Sequence, residues 1–152
     1  MRPGHRVTVS SPFGPVTVTE AGGLLVSLTW GADPGEGSDL LRDAARQLAA
    51  YFDRRLMRFD LPFAWGTGLQ ERVRRAMADI PMGETRTYGE IAKSVGAGPQ
   101  AVGQACGANP LPILIPYHRV LGQAGLGGFS APGGVETKVA LLRHEGAAGL
   151  LI

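Results

Sequence analysis

The N-terminal part of the chain alternates short apolar or β-branched runs with turns that contain glycine and proline. The three runs cover residues 6–10, 16–20 and 24–30. Gly14-Pro15 and Gly22-Gly23 separate them, which is the pattern of strands joined by tight turns. The sequence therefore predicts a small antiparallel meander.

A helical period replaces this alternation after a glycine-rich, acidic turn. Apolar residues recur every three or four positions from Leu41 through Ala45 and Leu48 to Phe52, and Ser38 stands before them as a candidate N-cap. This pattern predicts a helix over residues 39–53. Residues 60–65 are interpreted as a last short strand or an extended linker.

Helical periodicity dominates the second half of the chain, so a boundary is predicted at Gly66. An apolar stripe runs from Leu69 to Ile80, and Pro81 ends it. A final helix is predicted over residues 135–144. The arginines of the first of these helices lie off its apolar stripe, and we expect them on a solvated face: Arg72, Arg74 and Arg75.

Two shorter helices lie between these segments. Thr87 and Glu90 have the spacing of a capping box, which predicts a helix start at residue 88. Residues 96–98 break that helix, and Pro99 suits the first turn of a second one that runs to about Ala108. Helix, glycine turn, helix is the order of a helix-turn-helix motif. The second helix is rich in small residues, which permit either tight packing against another helix or insertion into a DNA groove.

A polar cluster follows the apolar run at residues 113–116. Tyr117, His118 and Arg119 stand directly after it. Polar groups at the end of a buried segment must be paired, so this stretch is predicted to form the floor of a pocket. His118 is the candidate general base, and Glu145 is its candidate carboxylate partner. A nucleophilic cysteine is expected beside such a histidine, but the chain has a tyrosine there.

Composition and charge narrow the class of protein. The chain has fifteen Lys and Arg against thirteen Asp and Glu, and this bias is too weak to indicate nucleic-acid binding by itself. Cys106 is the only cysteine, which excludes an internal disulfide and a zinc cluster of thiolates. The sequence has no signal-peptide pattern and no apolar run of membrane length. We therefore expect a cytoplasmic protein.

The motifs of the second half keep a common order and spacing. They are Pro-Met-Gly at 81–83, Thr-Tyr-Gly-Glu-Ile-Ala at 87–92, Ala-Val-Gly at 101–103, Asn-Pro at 109–110, Ile-Pro-x-His-Arg-Val at 115–120 and Leu-Leu-x-His-Glu-Gly at 141–146. Together they resemble the O6-alkylguanine-DNA alkyltransferases, also called methylated-DNA–protein-cysteine methyltransferases. The meander and helix before them resemble that family's N-terminal subdomain.

The resemblance implies an α+β fold in two parts. Residues 1–66 would form an α/β subdomain with a small antiparallel sheet and a helix. Residues 67–152 would form a mostly helical, winged-helix-like domain that carries the helix-turn-helix motif and a lesion pocket. The implied partner is double-stranded DNA that contains O6-alkylguanine, bound by a monomer through the minor groove without a cofactor or metal.

The resemblance also implies a role for individual positions during base flipping. Tyr88 would crowd the phosphate beside the flipped nucleotide, and Asn109 would brace the hinge after the recognition helix. His118 would be a water-linked base, with Glu145 as its partner. The implied pocket and DNA-binding positions are Tyr88, Gln100, Ala101, Val102, Gly103, Asn109, Pro116, Tyr117, Arg119, Phe129 and Ser130.

Two positions depart from the family's pattern. Tyr117 occupies the place of the acceptor cysteine, and a phenol of pKa ≈ 10 is ionised in only about one molecule in a thousand at pH 7. A thiol starts with a few per cent of thiolate and is the better nucleophile toward an alkyl carbon. Gln100 occupies the place of an arginine that fills the gap left by the flipped base.

Three hypotheses follow from this pattern. The leading one is a non-catalytic repair protein, similar to the alkyltransferase-like proteins, that binds O6-alkylguanine and hands it to nucleotide excision repair. The second is an active methyltransferase that uses Tyr117 or Cys106 as acceptor. The third is a degenerate DNA-binding module without preference for a lesion.

Overall fold

The computed structural model describes residues 5–122 and 134–147. Contacts along the backbone divide the chain into two compact units, residues 1–64 and 65–152. The sequence-based boundary after Gly66 lies two residues beyond this division. The separate functional roles of the two parts stay a prediction.

The first unit contains the predicted meander and helix. Strands β1 (His5–Val9), β2 (Val16–Ala21) and β3 (Leu24–Trp30) form an antiparallel sheet in the order β1-β2-β3. Helix α1 (Asp39–Phe52) packs against β1 and β2. The hydroxyl of Ser38 accepts a hydrogen bond from the Leu41 amide, so the predicted N-cap is confirmed.

The buried face of α1 differs slightly from the predicted stripe. Ala44 and Tyr51 are buried together with Leu41 and Leu48, whereas Ala45 and Phe52 are half-buried. The apolar residues of α1 form a wide stripe along the helix. The part of this stripe that packs against the sheet is buried, and the rest is partly exposed. Residues 60–65 pair with β3 through one isolated bridge, between Phe63 and Leu25. In this bridge the amide of Ala64 donates to the Leu25 carbonyl at 2.9 Å.

The second unit is mostly helical, as predicted. Helices α2 (Gly68–Ala78), α3 (Tyr88–Val95) and α4 (Pro99–Gly107) pack against one another. Helix α5 (Val135–His144) contacts a short 3-10 turn at Tyr117–Arg119. The α+β fold class is confirmed. Within the described residues, no helix combines the length and the apolar character that a membrane span requires.

A two-residue parallel ladder, which the sequence did not predict, positions this turn. Strand β4 (Arg86–Thr87) pairs with β5 (Val120–Leu121). The predicted capping box is confirmed, because the Thr87 hydroxyl accepts from the Glu90 amide and the Glu90 carboxylate accepts from the Thr87 amide. The start of α3 is therefore fixed beside the segment that carries the polar cluster.

The expected solvated face of α2 is wrong for one arginine. Arg74 is buried, and its guanidinium donates to the Trp65 carbonyl at 3.1 Å and to the Gln70 side chain at 3.2 Å. The neighbouring Arg75 is exposed, pairs with Glu71 and lies 4.5 Å from the centre of the Trp65 ring. The two terminal nitrogens of the buried guanidinium are therefore paired with oxygens at the start of this unit.

Candidate functional site

The side chain of Asn109 bridges the loop that follows α4. Asn109 donates from Nδ2 to the Ile115 carbonyl at 3.1 Å, and its Oδ1 accepts from the Leu111 amide at 3.1 Å. Ile113 inside the loop has φ of 71°, an uncommon and strained value for a β-branched residue. Ile113 and Ile115 are both buried. Burial and the Asn109 bridge together hold this loop and aim the residues that follow it.

The residues after the loop form a buried 3-10 turn. Tyr117, His118 and Arg119 make up the turn and have exposed fractions of 8%, 0% and 5%. Pro116, before them, is also buried. The apolar run therefore carries the polar cluster into the interior, where each member needs a partner.

Glu145 is the centre of the resulting network. Its Oε2 lies 2.7 Å from His118 Nε2 and 2.8 Å from Arg119 Nη2, while its Oε1 accepts from Arg119 Nε at 2.8 Å. Arg119 Nη1 also donates to the Ile80 carbonyl at 2.6 Å. The structure therefore brings the candidate base and its carboxylate together. Arg119, which the resemblance placed among the pocket and DNA-binding positions, forms a bidentate buried ion pair.

The electrostatics of this network favour a neutral imidazole beside a carboxylate. Burial lowers the pKa of His118, and the favourable effect of Glu145 does not overcome it. Burial by itself would raise the pKa of Glu145, but the hydrogen bonds from His118 and Arg119 and the positive charge of Arg119 hold it well below its usual range. His118 therefore donates from Nε2 to the Glu145 carboxylate. This hydrogen bond assigns the proton to Nε2 and leaves Nδ1 as the basic nitrogen.

Tyr117 is joined to Tyr88 at the start of α3. Their hydroxyl oxygens lie 2.8 Å apart, and the rings meet edge to face with centres 6.5 Å apart. Burial raises the pKa of both phenols, and in Tyr88 the hydrogen bond to Tyr117 raises it further. Both hydroxyls are therefore protonated at neutral pH.

A buried lysine, which the sequence pattern did not single out, lies against the same tyrosine. Lys138 on α5 is fully buried, and its Nζ donates to the Val120 carbonyl at 2.6 Å. The same nitrogen lies over the Tyr117 ring, 5.5 Å from its centre. The periodicity of α5 contained the signal, because Lys138 precedes the buried Leu141 and Leu142 by three and four residues.

Cys106 is buried in α4, close enough for its charge to influence the cluster. A Cys106 thiolate would raise the pKa of Tyr88 and Tyr117, and the Lys138 charge acts on Cys106 in turn. Burial nevertheless raises the pKa of the Cys106 thiol to about 12. At pH 7 this leaves roughly one thiolate in a hundred thousand molecules.

Helix α4 presents a surface of small residues. Val102 and Ala105 are buried toward the helix's own unit, whereas Gln100 and Ala101 are exposed. A Cβ added at Gly103 would meet no described atom within 4 Å. Packing against another described helix therefore does not account for this glycine.

Two of the predicted pocket residues, Phe129 and Ser130, lie outside the described residues. A cavity of about 330 Å³ opens elsewhere, between α2 and α3, against residues that include Ile80, Arg86 and Ile91. That cavity contains none of the predicted site residues. The described part of the candidate site is therefore the 3-10 turn with its partners on α3, α5 and the residue that follows α5.

The chain is similar to known proteins in both sequence and fold. Residues 68–147 match the family model described as 6-O-methylguanine DNA methyltransferase, DNA binding domain. A relative from Mycobacterium tuberculosis named methylated-DNA–protein-cysteine methyltransferase is 42% identical over 93% of this chain and 92% of its own. One of the same name from Methanosarcina acetivorans is 46% identical over 74% of this chain and 73% of its own. The crystal structure of Mycobacterium tuberculosis OGT in complex with DNA is 41% identical with a TM-score of 0.81, covering 95% of this chain and 94% of that one.

Proposed function

The chain belongs to the 6-O-methylguanine DNA methyltransferase family, and we propose that it binds O6-alkylguanine in DNA without taking up the alkyl group. The observation that carries the proposal is the Tyr88–Tyr117 hydroxyl pair, whose oxygens lie 2.8 Å apart. The family resemblance places the acceptor thiol at position 117. A protonated, hydrogen-bonded phenol stands there instead.

Alkyl transfer needs a nucleophile that can displace the guanine oxygen from the alkyl carbon. The bond from that carbon to the acceptor forms as its bond to O6 breaks, and the departing guanine takes up a proton. Burial raises the pKa of Tyr117, so the phenolate that would attack is even scarcer than in water. Cys106 is no better prepared, because burial raises its pKa to about 12.

The remainder of the site supports recognition of a flipped base. The buried His118–Glu145–Arg119 network keeps the turn in place around the pocket position. The exposed small residues of α4 suit close approach to a DNA groove. Extrusion of a damaged base costs a few kcal/mol, less than for an intact pair. The Gln100 amide can offer hydrogen bonds to the base left behind.

Binding without transfer leaves the lesion in the DNA. The protein would then act as a marker for another repair activity, and nucleotide excision repair proteins are the partners that we propose. We also propose that it binds as a monomer in the cytoplasm, with the lesion pocket in residues 67–152 and the α/β subdomain in residues 1–66.

A paired binding assay tests this function. Fluorescence anisotropy compares a duplex that carries one O6-methylguanine with its undamaged twin, and intact-protein mass is measured on the same mixtures. We expect tighter binding to the damaged duplex and an unchanged protein mass. Equal affinity for the two duplexes would reject lesion recognition and favour a DNA-binding module without lesion preference.

Self-alkylation at an unusual acceptor, Tyr117 or Cys106, is the alternative outcome. The Lys138 charge lowers the pKa of the Cys106 thiol, but the larger effect of burial leaves it raised to about 12. A gain of one methyl group after incubation with methylated DNA would establish transfer. If the Cys106→Ser variant no longer gains the methyl group, the acceptor is Cys106. If the Tyr117→Phe variant no longer gains it, the acceptor is the Tyr117 phenol.

A further inference from the structure

We propose that Lys138 is a positioning residue for Tyr117, because its buried ammonium holds the face of the ring while Tyr88 holds the hydroxyl. The inference rests on the proposed function, since it treats Tyr117 as a wall of the lesion pocket. A tyrosine fixed at both its ring and its hydroxyl presents one orientation to an incoming base. Such preorganisation improves binding because less side-chain freedom is lost in the complex.

The geometry ties the cation to the segment that bears the ring. Lys138 Nζ donates to the Val120 carbonyl at 2.6 Å, and Val120 directly follows the 3-10 turn. The same nitrogen lies 5.5 Å from the centre of the Tyr117 ring. This distance is within the range of a cation–π contact, which is strongest when the cation is removed from water. Lys138 is fully buried.

The hydrogen bond and the cation–π contact can be separated by charge. A neutral amine still donates to the Val120 carbonyl, but only the ammonium is attracted to the ring. Burial lowers the pKa of Lys138 to about 8. The attraction should therefore be complete at pH 6.5 and largely lost at pH 9, whereas the hydrogen bond should persist.

The titratable groups around Lys138 keep their own charge between pH 7 and 9. Cys106 on α4 titrates near 12 and would favour the ammonium only when ionised. On the 3-10 turn, burial raises the pKa of Tyr117 and lowers that of His118. Burial also raises the pKa of Tyr88 on α3. A change in the Tyr117 ring between pH 7 and 9 is therefore assigned to Lys138.

The first experiment observes the ring without DNA. The chain has three tyrosines, so ¹³C-labelled tyrosine gives a small set of ring resonances, and Tyr117→Phe identifies the one required. We expect that resonance to shift with an inflection near pH 8 in the unmodified protein. The inflection should be absent from a Lys138→Arg variant, which keeps its charge, and from Lys138→Met, which has none. A Tyr117 resonance that stays constant from pH 7 to 9 would overturn the inference, even if neither variant folds.

The second experiment measures the ratio of affinities for the damaged and undamaged duplexes. Lys138→Met should lower this ratio by up to about tenfold, the size expected when one side chain must be immobilised on binding instead of beforehand. Lys138→Arg should recover most of it. An unchanged ratio in a folded Lys138→Met variant would contradict the inference.

The two experiments separate this inference from the proposed function. An unmodified protein that prefers neither duplex at any pH would reject the function, although the ring inflection would still establish the contact with Lys138. A clear lesion preference without the inflection would retain the function and reject the role of Lys138.

Discussion

The hydroxyl of Tyr117 meets Tyr88, and its ring lies over Lys138. Next to it along the chain, His118 is bonded to Glu145. The hydrogen bonds between His118 and Glu145 and between Lys138 and the Val120 carbonyl do not involve the side chain at position 117. Within this network the proposed change from acceptor to binding residue therefore concerns one side chain, and a single substitution can test whether it is reversible.

A Tyr117→Cys variant should gain one methyl group when it is incubated with O6-methylguanine DNA. Its thiol would stand beside the His118–Glu145 pair, and a nearby base increases the thiolate fraction. Intact-protein mass should show a stoichiometric gain that is absent from a Tyr117→Ala control. If the cysteine variant gains nothing, the acceptor is not the only defect, and Gln100→Arg in the same background becomes the next test.

The Glu145→Gln variant should lose about 3–5 kcal/mol of unfolding free energy, because it leaves the Arg119 guanidinium buried without a counter-charge. Both Glu145 carboxylate oxygens accept from Arg119 at 2.8 Å. Urea denaturation measures the change. The control is Glu71→Gln, which removes an exposed pair with Arg75 and should cost less than about 1 kcal/mol. Similar losses in the two variants would refute the structural importance assigned to Glu145.

Acidification should destabilise the protein in two steps. Burial lowers the pKa of His118 in the folded chain. Below pH 6.5, the ordinary pKa of a histidine, the unfolded chain therefore binds a proton at this residue that the folded chain does not bind. The unfolding free energy should therefore fall below pH 6.5, by at most about 1.4 kcal/mol per pH unit. The depressed pKa of Glu145 adds a second loss below about pH 4.3 for the same reason.

Urea denaturation between pH 2 and 8 measures this profile. A His118→Asn variant should lack the portion between pH 6.5 and 5. A flat profile in that interval for the unmodified protein would show that His118 binds its proton as readily in the folded state as in the unfolded chain, and that its pKa is not lowered.

Individual elements differ in how well the sequence predicts them. The starts of α1 and α3 were predicted because Ser38 and the Thr87–Glu90 pair act within one helical turn. The β4–β5 ladder was not predicted, because its strands have two residues each and their pairing is set by tertiary packing. Local chemistry is visible in a sequence, whereas such short distant pairing has no periodic signal.

The candidate site divides in the same way. His118 and Glu145 were predicted as partners and are bonded in the structure. Lys138 was overlooked, and the burial of Arg74 was not expected, because a charged side chain is normally assigned to the solvent. Each of them can be buried because it donates a hydrogen bond to a backbone carbonyl. The sequence shows the charge but not the carbonyl oxygen that meets it in the fold.

Helix α4 offers a test in which stability and binding should change in opposite directions. Gly103→Ala adds a methyl group where no described atom lies within 4 Å. Alanine in place of glycine should stabilise the helix by about 0.5–1 kcal/mol. If α4 enters a DNA groove, the same methyl group should weaken binding to both the damaged and the undamaged duplex. Urea denaturation and anisotropy measure the two effects, and tighter or unchanged DNA binding would place the DNA contact elsewhere.

At the scale of the whole molecule, the formal charge exaggerates the attraction to DNA. Residues 65–152 contain eight basic and six acidic side chains. Arg74, Arg119 and Lys138 are buried, and so is Glu145. Removing these three cations and one carboxylate leaves five groups of each sign that are not buried. The unit therefore has no excess of accessible positive charge to attract phosphates.

Binding to undamaged DNA should consequently depend only moderately on salt. Each phosphate contact contributes about 0.9 to the slope of log affinity against log salt, so five cations limit the slope to about −4.5. Anisotropy titrations between 50 and 200 mM salt measure it. A steeper slope would require cations of the first unit, where Arg54 and Arg58 are exposed. A double variant, Arg54→Ala with Arg58→Ala, decides between these cases. Its slope becomes shallower than that of the unmodified protein only if these two residues also contact phosphates.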